Sequence, residues 1–252
     1  MSLERMPGPM GAEPAPPAIG DAGEGGSPVT LRLQVLATEH WGLLATRALA
    51  WNESFTRAGM FLSALSGGIV ALALVAQATE FGNEFTLFAL VILPVVLFIG
   101  LTTFFRMGTA NSYDAMCVVG MNRIRHAYLQ IVPEVAPYLV MGTYDDERSV
   151  NLTMGVPPGR TNFAVDVLVS TPFVVCTINS VLGGVIVTIL AQQLGIAGPA
   201  AIALAVAGVV VVFGFQVLVA MRGIAAAVAS YEPKFPEPAE GDAAGQGDAS
   251  SA

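Results

Sequence analysis

Four long stretches without a charged residue constrain the fold of this chain more than any other feature. Each covers about 20 positions or more, and a helix of that length crosses the roughly 30 Å hydrocarbon core of a bilayer. Helices buried in soluble proteins seldom reach this length without a charge. The sequence therefore predicts an all-α, polytopic membrane protein with four transmembrane helices, at residues 58–79, 85–105, 167–194 and 198–221.

Composition supports this reading, because 54 % of the 252 residues are hydrophobic and only 12 % are charged. Soluble domains carry about 25 % charged residues. The net charge of −8 is concentrated in two Pro-, Gly- and Ala-rich ends, which argues against nucleic-acid binding. We predict a disordered acidic tail over residues 1–27, and a helix end followed by a second disordered acidic tail over 223–252. Residues 1–26 and 234–252 are expected to be dispensable for folding.

The distribution of basic residues predicts the orientation. The two segments that connect spans one to two and three to four, residues 80–84 and 195–197, contain none of the 11 Lys and Arg residues. Positive-inside bias then places both termini in the cytoplasm. Arg57, Arg106 and Arg222 each flank a span, where their side chains can reach lipid headgroups as interface anchors. Arg-, Ala- and Gly-rich usage is typical of a GC-rich bacterial genome, so we expect a bacterial inner membrane.

The segment before the first span reads as an amphipathic helix over residues 28–56. Ser27 and Pro28 form a typical helix start, and apolar residues then recur at helical spacing. Trp41 and Trp51, the two tryptophans of the chain, are candidate interface anchors. Two interpretations stay open: the helix lies along the inner leaflet, or it packs on the protein's own cytoplasmic layer.

The remaining chain divides into two hairpins and a cytoplasmic region. Transmembrane hairpin one covers 57–106, the cytoplasmic helical region 107–165, and hairpin two 166–222. A helix is expected to continue to Ile131, where Pro133 stops it and a short helix follows. The middle region is too small for an ordinary enzyme domain, and with the N-terminal helix it is expected to form one compact layer.

Small residues four apart mark helix faces that allow close packing in lipid. They occur in span one and again in span three. The candidates for helix packing or oligomerisation are Ser63, Gly67, Gly68, Ser180, Gly183 and Gly184. Packing among the four helices of one subunit and packing between subunits both fit this pattern.

Asn179 and Gln216 are the strongest polar groups inside the predicted spans. Each needs a hydrogen-bond partner, because leaving a polar group unsatisfied in hydrocarbon costs on the order of several kcal/mol. They fit either a buried structural pair or a polar pathway. The spans contain no Asp, Glu, Lys, Arg or His, which argues against a proton-coupled transporter.

Outside the spans, Arg123, Arg125 and His126 form the densest basic cluster. It could bind a lipid headgroup or another anion, or it could pair with acids such as Asp114, Glu134 or Asp145. The run Asp145-Asp146-Glu147 fits a turn or helix start better than a metal site. Phosphate loops, paired histidines, Cys-x-x-Cys and Gly-x-Ser-x-Gly are all missing, so we predict no enzyme activity, cofactor or metal.

Two stretches carry a resemblance to known proteins: His40–Ala78, with Trp51-Asn52-Glu53 and Arg57-Ala58-Gly59, and Gly120–Leu129, with Asn122-Arg123-Ile124-Arg125-His126. Over about half of the chain they resemble an uncharacterised actinobacterial group of four-span membrane proteins. The order of amphipathic helix, two-span hairpin and long cytosolic helix also resembles SLATT-type membrane effector domains, which implies pore formation. The second pair of spans departs from that layout.

Two functional hypotheses follow. The first is a non-enzymatic homo-oligomer in the lipid bilayer, with a pore or channel as its most concrete form. The second is a membrane anchor or scaffold whose cytoplasmic layer binds a protein partner. The small-residue faces and the interior Asn179 and Gln216 motivate the first hypothesis, and the acidic tails and helical middle region motivate the second.

Overall fold

The computed structural model describes residues 27–156 and 163–238, and this part of the chain is helical without a strand. Four of its helices are long and apolar enough to cross a membrane, which confirms the predicted fold class. Most of the N-terminal tail, residues 1–26, lies outside the described residues. The elements are α1 (Pro28–Thr79), α2 (Asn83–Ile131), a 3-10 helix (Pro133–Tyr138), α3 (Glu147–Thr153), α4 (Phe163–Leu168), α5 (Thr171–Gln193) and α6 (Pro199–Ala229).

The first helix is far longer than a membrane is thick. It begins as predicted at Ser27, whose hydroxyl accepts a hydrogen bond from the Val29 amide, with Pro28 in the first turn. Its 52 residues measure about 78 Å. Residues 28–56 therefore continue the first span without a break and pack along α2, and they do not form a separate helix on a lipid surface.

The second helix returns antiparallel to the first along almost its whole length. A tight turn at Glu80 and Phe81, both with positive φ, joins them. α2 runs without interruption through Pro94 and ends at Ile131, ahead of Pro133 as predicted. Contacts run from Phe61 beside Gly100 to Leu43 beside Gly120. We call residues 28–56 and 107–131 of this hairpin the stalk.

The second hairpin differs from the predicted boundaries at both ends. The third span was expected from residue 167, but α5 begins at Thr171, because the Ser170 side chain caps it and Pro172 occupies its first turn. α6 continues to Ala229, eight residues beyond the predicted span end at Met221. The extra turns carry the chain out of the apolar bundle to the level of the stalk.

The two hairpins are joined through α2. α1 packs along α2, α6 packs along α5, and α2 packs against α5 and more weakly against α6. The apolar core lies at this junction and draws on three helices. Its buried members include Phe61, Ala89, Leu93, Val96, Val175 and Leu182.

Residues 132–156 and 231–238 form a small layer on the stalk half of α2, which we call the cap. α3 starts at Asp146, whose carboxylate accepts from the Ser149 amide. The prediction of a disordered tail beyond α6 is wrong for residues 231–238, because Tyr231, Lys234 and Phe235 hydrogen-bond to Asp145. Truncation at residue 234 would remove two of these hydrogen bonds. Residues 239–252 lie outside the described part of the chain, and the dispensability of 234–252 for folding stays a prediction.

Candidate functional site

Asn179 and Gln216 face each other between α5 and α6. The Asn179 Nδ2 donates to Gln216 Oε1 at 2.9 Å, and Gln216 Nε2 lies 3.3 Å from the Cys176 carbonyl and 3.2 Å from the Val212 carbonyl. Both side chains have no exposed surface. Of the two predicted alternatives, this geometry fits the buried structural pair. Neither side chain lines an open path within a single chain.

One atom of the pair has no donor. Asn179 Oδ1 is buried without a hydrogen-bond partner and points at the Cα of Gly100. A Cβ at Gly100 would lie within 2.7 Å of Phe61 Cε2 and in overlap with the amide oxygen. Gly100 is therefore a position where α1, α2 and α5 are in close contact, and sequence spacing gave no signal for it.

The small residues of the spans divide into two groups. In α5, Gly183 and Gly184 lie against Gly208, Val209 and Val212 of α6, so they serve packing within the chain. The Ser180 hydroxyl donates to the Cys176 carbonyl at 2.7 Å. In α1, Gly68 meets Ile92 and Val96 of α2 at 3.4 Å, whereas Gly67 has no neighbour within 4 Å and Ser63 is exposed.

At the base of the stalk, Glu53 joins two arginines. Its carboxylate accepts from Arg106 at 2.7 and 2.9 Å and from Arg57 at 2.9 Å. These hydrogen bonds, that of Arg106 above all, lower the pKa of Glu53 to about 2. Two of the predicted interface anchors therefore form one cluster of net charge +1, while the third, Arg222, is exposed on α6.

Higher in the stalk, Asp114 binds residues from α1. Arg47 donates to both carboxylate oxygens and Trp51 Nε1 donates to Oδ1 at 3.1 Å. Asp114 is 2 % exposed, so this pair fixes the register of the two long helices within the stalk. The rings of Trp41 and Trp51 are each 41 % exposed and therefore do not form a core of their own.

The predicted basic cluster does not converge on one point. Arg123 donates to Asp145 at 2.7 Å, Arg125 donates to the Asn122 side-chain oxygen at 2.8 Å, and the His126 ring stacks on Phe235 at 5.0 Å. Asn122 is fully buried and also binds the cap, donating to the Tyr144 carbonyl and accepting from Thr153. These residues hold the cap on α2.

Asp145 is the centre of the cap. Its carboxylate has no exposed surface and accepts from Arg123, from the Lys234 amide at 2.9 Å and from the Phe235 amide at 2.8 Å. Burial alone would raise the pKa of Asp145, but the two amides and Arg123 outweigh it, and the pKa lies below its ordinary value. Tyr231 donates to the Asp145 carbonyl at 2.6 Å. An ionised Asp145 thus ties the end of α6 to the stalk.

Beside Asp145 the cap forms an open cleft of about 310 Å³. Leu129, Ala136, Leu139, Met141 and Leu152 supply apolar lining, and Arg148 and Glu237 stand at its edge, 3.4 Å apart. Tyr138 and Val140 next to the cleft are each 81 % exposed. The cap is therefore held together around the buried Asp145, and it exposes apolar side chains beside the cleft.

Sequence reasoning missed the cap contacts of the C-terminal segment. Tyr231 and Phe235 are aromatic residues in an otherwise polar and acidic stretch, and both make tertiary contacts. That was the available signal, because aromatic side chains gain the most from burial.

Within residues 27–156 and 163–238, no group of three His, Cys, Asp or Glu side chains could hold a metal ion. Both cysteines, Cys117 and Cys176, are free and buried. The arrangement offers hydrogen-bonded structure and apolar surface, and we find no assembled nucleophile and base among these residues. Comparisons with family models, curated proteins and solved structures found no match to this chain.

Proposed function

We propose that this chain is a non-enzymatic membrane anchor that holds a protein partner at the cap, on the cytoplasmic side of a bacterial inner membrane. The cap carries this proposal. It is fastened to the stalk by the buried Asp145, yet it exposes Tyr138 and Val140 beside an apolar cleft. Exposed aromatic and aliphatic groups around a cleft are typical of protein-binding surfaces.

The orientation follows from charge. The basic residues of the stalk, the cap and α6 lie at one end of the bundle, and the turns at the other end contain none. Positive-inside bias makes the first end cytoplasmic. With about 37 Å of α2 in the stalk, the cap stands clear of the lipid headgroups.

The chemistry of the cleft defines the partner. An apolar side chain would fill the space over Leu139 and Met141, while a basic residue beside it would meet Glu237 at the edge of the cleft. The partner is therefore a soluble protein with a short apolar and basic segment.

A homo-oligomeric pore is the second candidate. The uncovered Ser63 and Gly67 in α1 favour association between copies. Asn179 and Gln216 give it no support, because their side chains bind each other inside one chain. Ion flux across liposomes that contain the purified protein would favour the pore over the anchor.

Photo-crosslinking in cells tests the anchor. A benzoylphenylalanine in place of Tyr138, which is 81 % exposed, should give one discrete adduct with another protein, identified by mass spectrometry. The purified partner should then bind the full chain in nanodiscs, with Met141→Glu weakening binding about tenfold or more because it places a charge in the apolar cleft.

Thr109→Glu is the matched control, since it adds the same charge at an exposed stalk position. It should leave binding unchanged. A missing adduct at position 138, or equal binding by the Met141→Glu protein, would contradict the anchor proposal.

A further inference from the structure

The outward face of α1 has an unusual composition. α2 is the only helix that packs along α1 in the described part of the chain, so the opposite face is uncovered from the stalk into the span. We call this the open face; its exposed positions include Trp41, Asn52, Phe55, Gly59, Ser63 and Gly67. Successive positions in this list are 11, 3, 4, 4 and 4 residues apart, and such spacings keep them on one side of the helix.

The open face carries no charge. By helical geometry the charged residues of α1 lie away from this face. Arg47 pairs with Asp114 and Glu53 with Arg106 on α2, Arg57 pairs with Glu53, and Arg32 and Glu39 are exposed. A stalk helix in water normally turns its charges outward and its apolar residues inward. Here the exposed half carries Trp41 and Phe55, 41 % and 58 % exposed, which is the reverse pattern.

The membrane part of the open face is made of small residues with nothing opposite. A Cβ added at Gly59 or Gly67 would have no neighbouring atom within 4 Å, whereas one added at Gly183, Gly184 or Gly208 would meet a neighbouring helix. Small residues in lipid permit close backbone approach, and packing is then the main source of association energy. These uncovered glycines and the uncharged aromatic surface of the stalk are independent observations on the same face.

We propose that the open face binds a second copy of this chain in a parallel, two-fold dimer. Lipid could cover Gly59–Gly67 but not Trp41, which lies 17 residues or about 25 Å before the span. A soluble partner could cover Trp41 but not Gly67. A second copy covers both, because it is inserted at the same depth and in the same orientation.

A two-fold axis brings each open-face position next to its own counterpart. Gly67 then meets Gly67 without steric hindrance, and the absence of charge avoids repulsion between like groups. Asn52 meets Asn52 in the stalk, where a paired amide fixes the register of two parallel helices. The proposal does not depend on the partner at the cap.

Cysteine crosslinking in native membranes tests the contact. Asn52→Cys and Ser63→Cys should each form a disulfide-linked dimer on mild oxidation. Phe98→Cys, 66 % exposed on α2 at a depth close to Ser63, is the control for random collision, and the wild type, with both cysteines buried, sets the background. Dimer yields at positions 52 and 63 no higher than at position 98 would overturn the proposal.

A glycine pair provides a second measurement. Gly67→Leu and Gly214→Leu both add a side chain where the chain itself leaves open space, on α1 and α6 respectively. In nanodiscs, the first should weaken dimerisation about tenfold or more, the effect of overpacking a close helix contact, and the second should not. Equal subunit numbers for both variants and the wild type would contradict the dimer.

Discussion

The two hairpins use the same small-residue pattern in opposite ways. In α5 and α6, Gly183 and Gly184 lie against the facing helix, and the polar Asn179 and Gln216 are sealed between them. In α1, Ser63 and Gly67 are exposed, and the helix continues into a stalk in which Arg47 and Glu53 pair with α2. In the second hairpin Gly183 and Gly184 thus face a helix of the same chain, whereas in the first Ser63 and Gly67 face none.

This difference shows that a small-residue motif specifies a helix face but not its neighbour. Ser63-x-x-x-Gly67 and Ser180-x-x-x-Gly184 have the same spacing. Only the second has a helix of its own chain opposite its glycine. Substitutions at matched positions in the two hairpins can therefore separate contacts within a subunit from contacts between subunits.

The largest effect is expected at the junction of the hairpins. Gly100→Ala would place a methyl group against Asn179 Oδ1 and within 2.7 Å of Phe61. Strain of this kind costs about 3 kcal/mol or more, because both neighbours are buried and cannot move freely. Thermal unfolding in detergent should show a large fall in melting temperature. Gly108→Ala, on the same helix with open space around it, should cause none.

Gly184→Leu is expected to come next. Its Cβ would lie 2.6 Å from Val209 Cγ2 and 3.0 Å from the Ala205 carbonyl oxygen, so the folded monomer should lose about 1–3 kcal/mol. Gly67→Leu should leave the melting temperature of the monomer unchanged, since no atom of the chain is near. If the two variants lowered monomer stability equally, the contrast between the hairpins would be lost.

A local effect is expected in the cap. Asp145→Asn removes the charge that accepts from Arg123 and from two backbone amides, and hydrogen bonds to charged groups contribute about 1.5–3 kcal/mol. Hydrogen exchange should accelerate in residues 231–238 while the spans keep their protection. Asp146→Asn, which retains a good helix N-cap, should exchange like the wild type. Unchanged exchange in the Asp145→Asn protein would mean that this carboxylate does not hold the segment.

The smallest and most gradual effect is that of pH on the same segment. The pKa of Asp145 is lower in the folded protein than its ordinary value of about 4. Its contribution is therefore fully present above pH 4 and is lost as the pH falls through the lower folded value. Protection of residues 231–238 should be flat from pH 7 to 5 and decrease only in acid. A loss between pH 7 and 5 would point to another titrating group.

The length of the four uncharged runs was enough to predict the four apolar helices, because the thickness of the bilayer sets the number of consecutive apolar residues in a span. The start of α1 and the end of α2 also followed from local signals, Ser27-Pro28 and Pro133. The start of α5 was placed four residues early, because the apolar run includes Val167–Val169, and hydropathy does not register the cap at Ser170.

The cap could not be predicted in the same way. Asp145, Asp146 and Glu147 are similar in sequence, yet one is a buried acceptor, the next a helix cap and the third a helix residue. Their roles depend on Lys234 and Phe235, about 90 positions away, which only tertiary structure brings together. For the same reason the partners of Arg123 and His126 were beyond local analysis, whereas Arg125 binds Asn122 three positions away on the same helix.

The central claim is that both hairpins share one orientation, with stalk and cap in the cytoplasm, and site-directed labelling tests it most directly. Cysteines replacing Phe81 and Leu194, 72 % and 78 % exposed in the two short connections, and Ser112 in the stalk would be treated with a membrane-impermeant maleimide. The account predicts that intact spheroplasts label positions 81 and 194, and that position 112 reacts only after permeabilisation. Labelling of position 112 in intact spheroplasts, or protection of either connection, would contradict it.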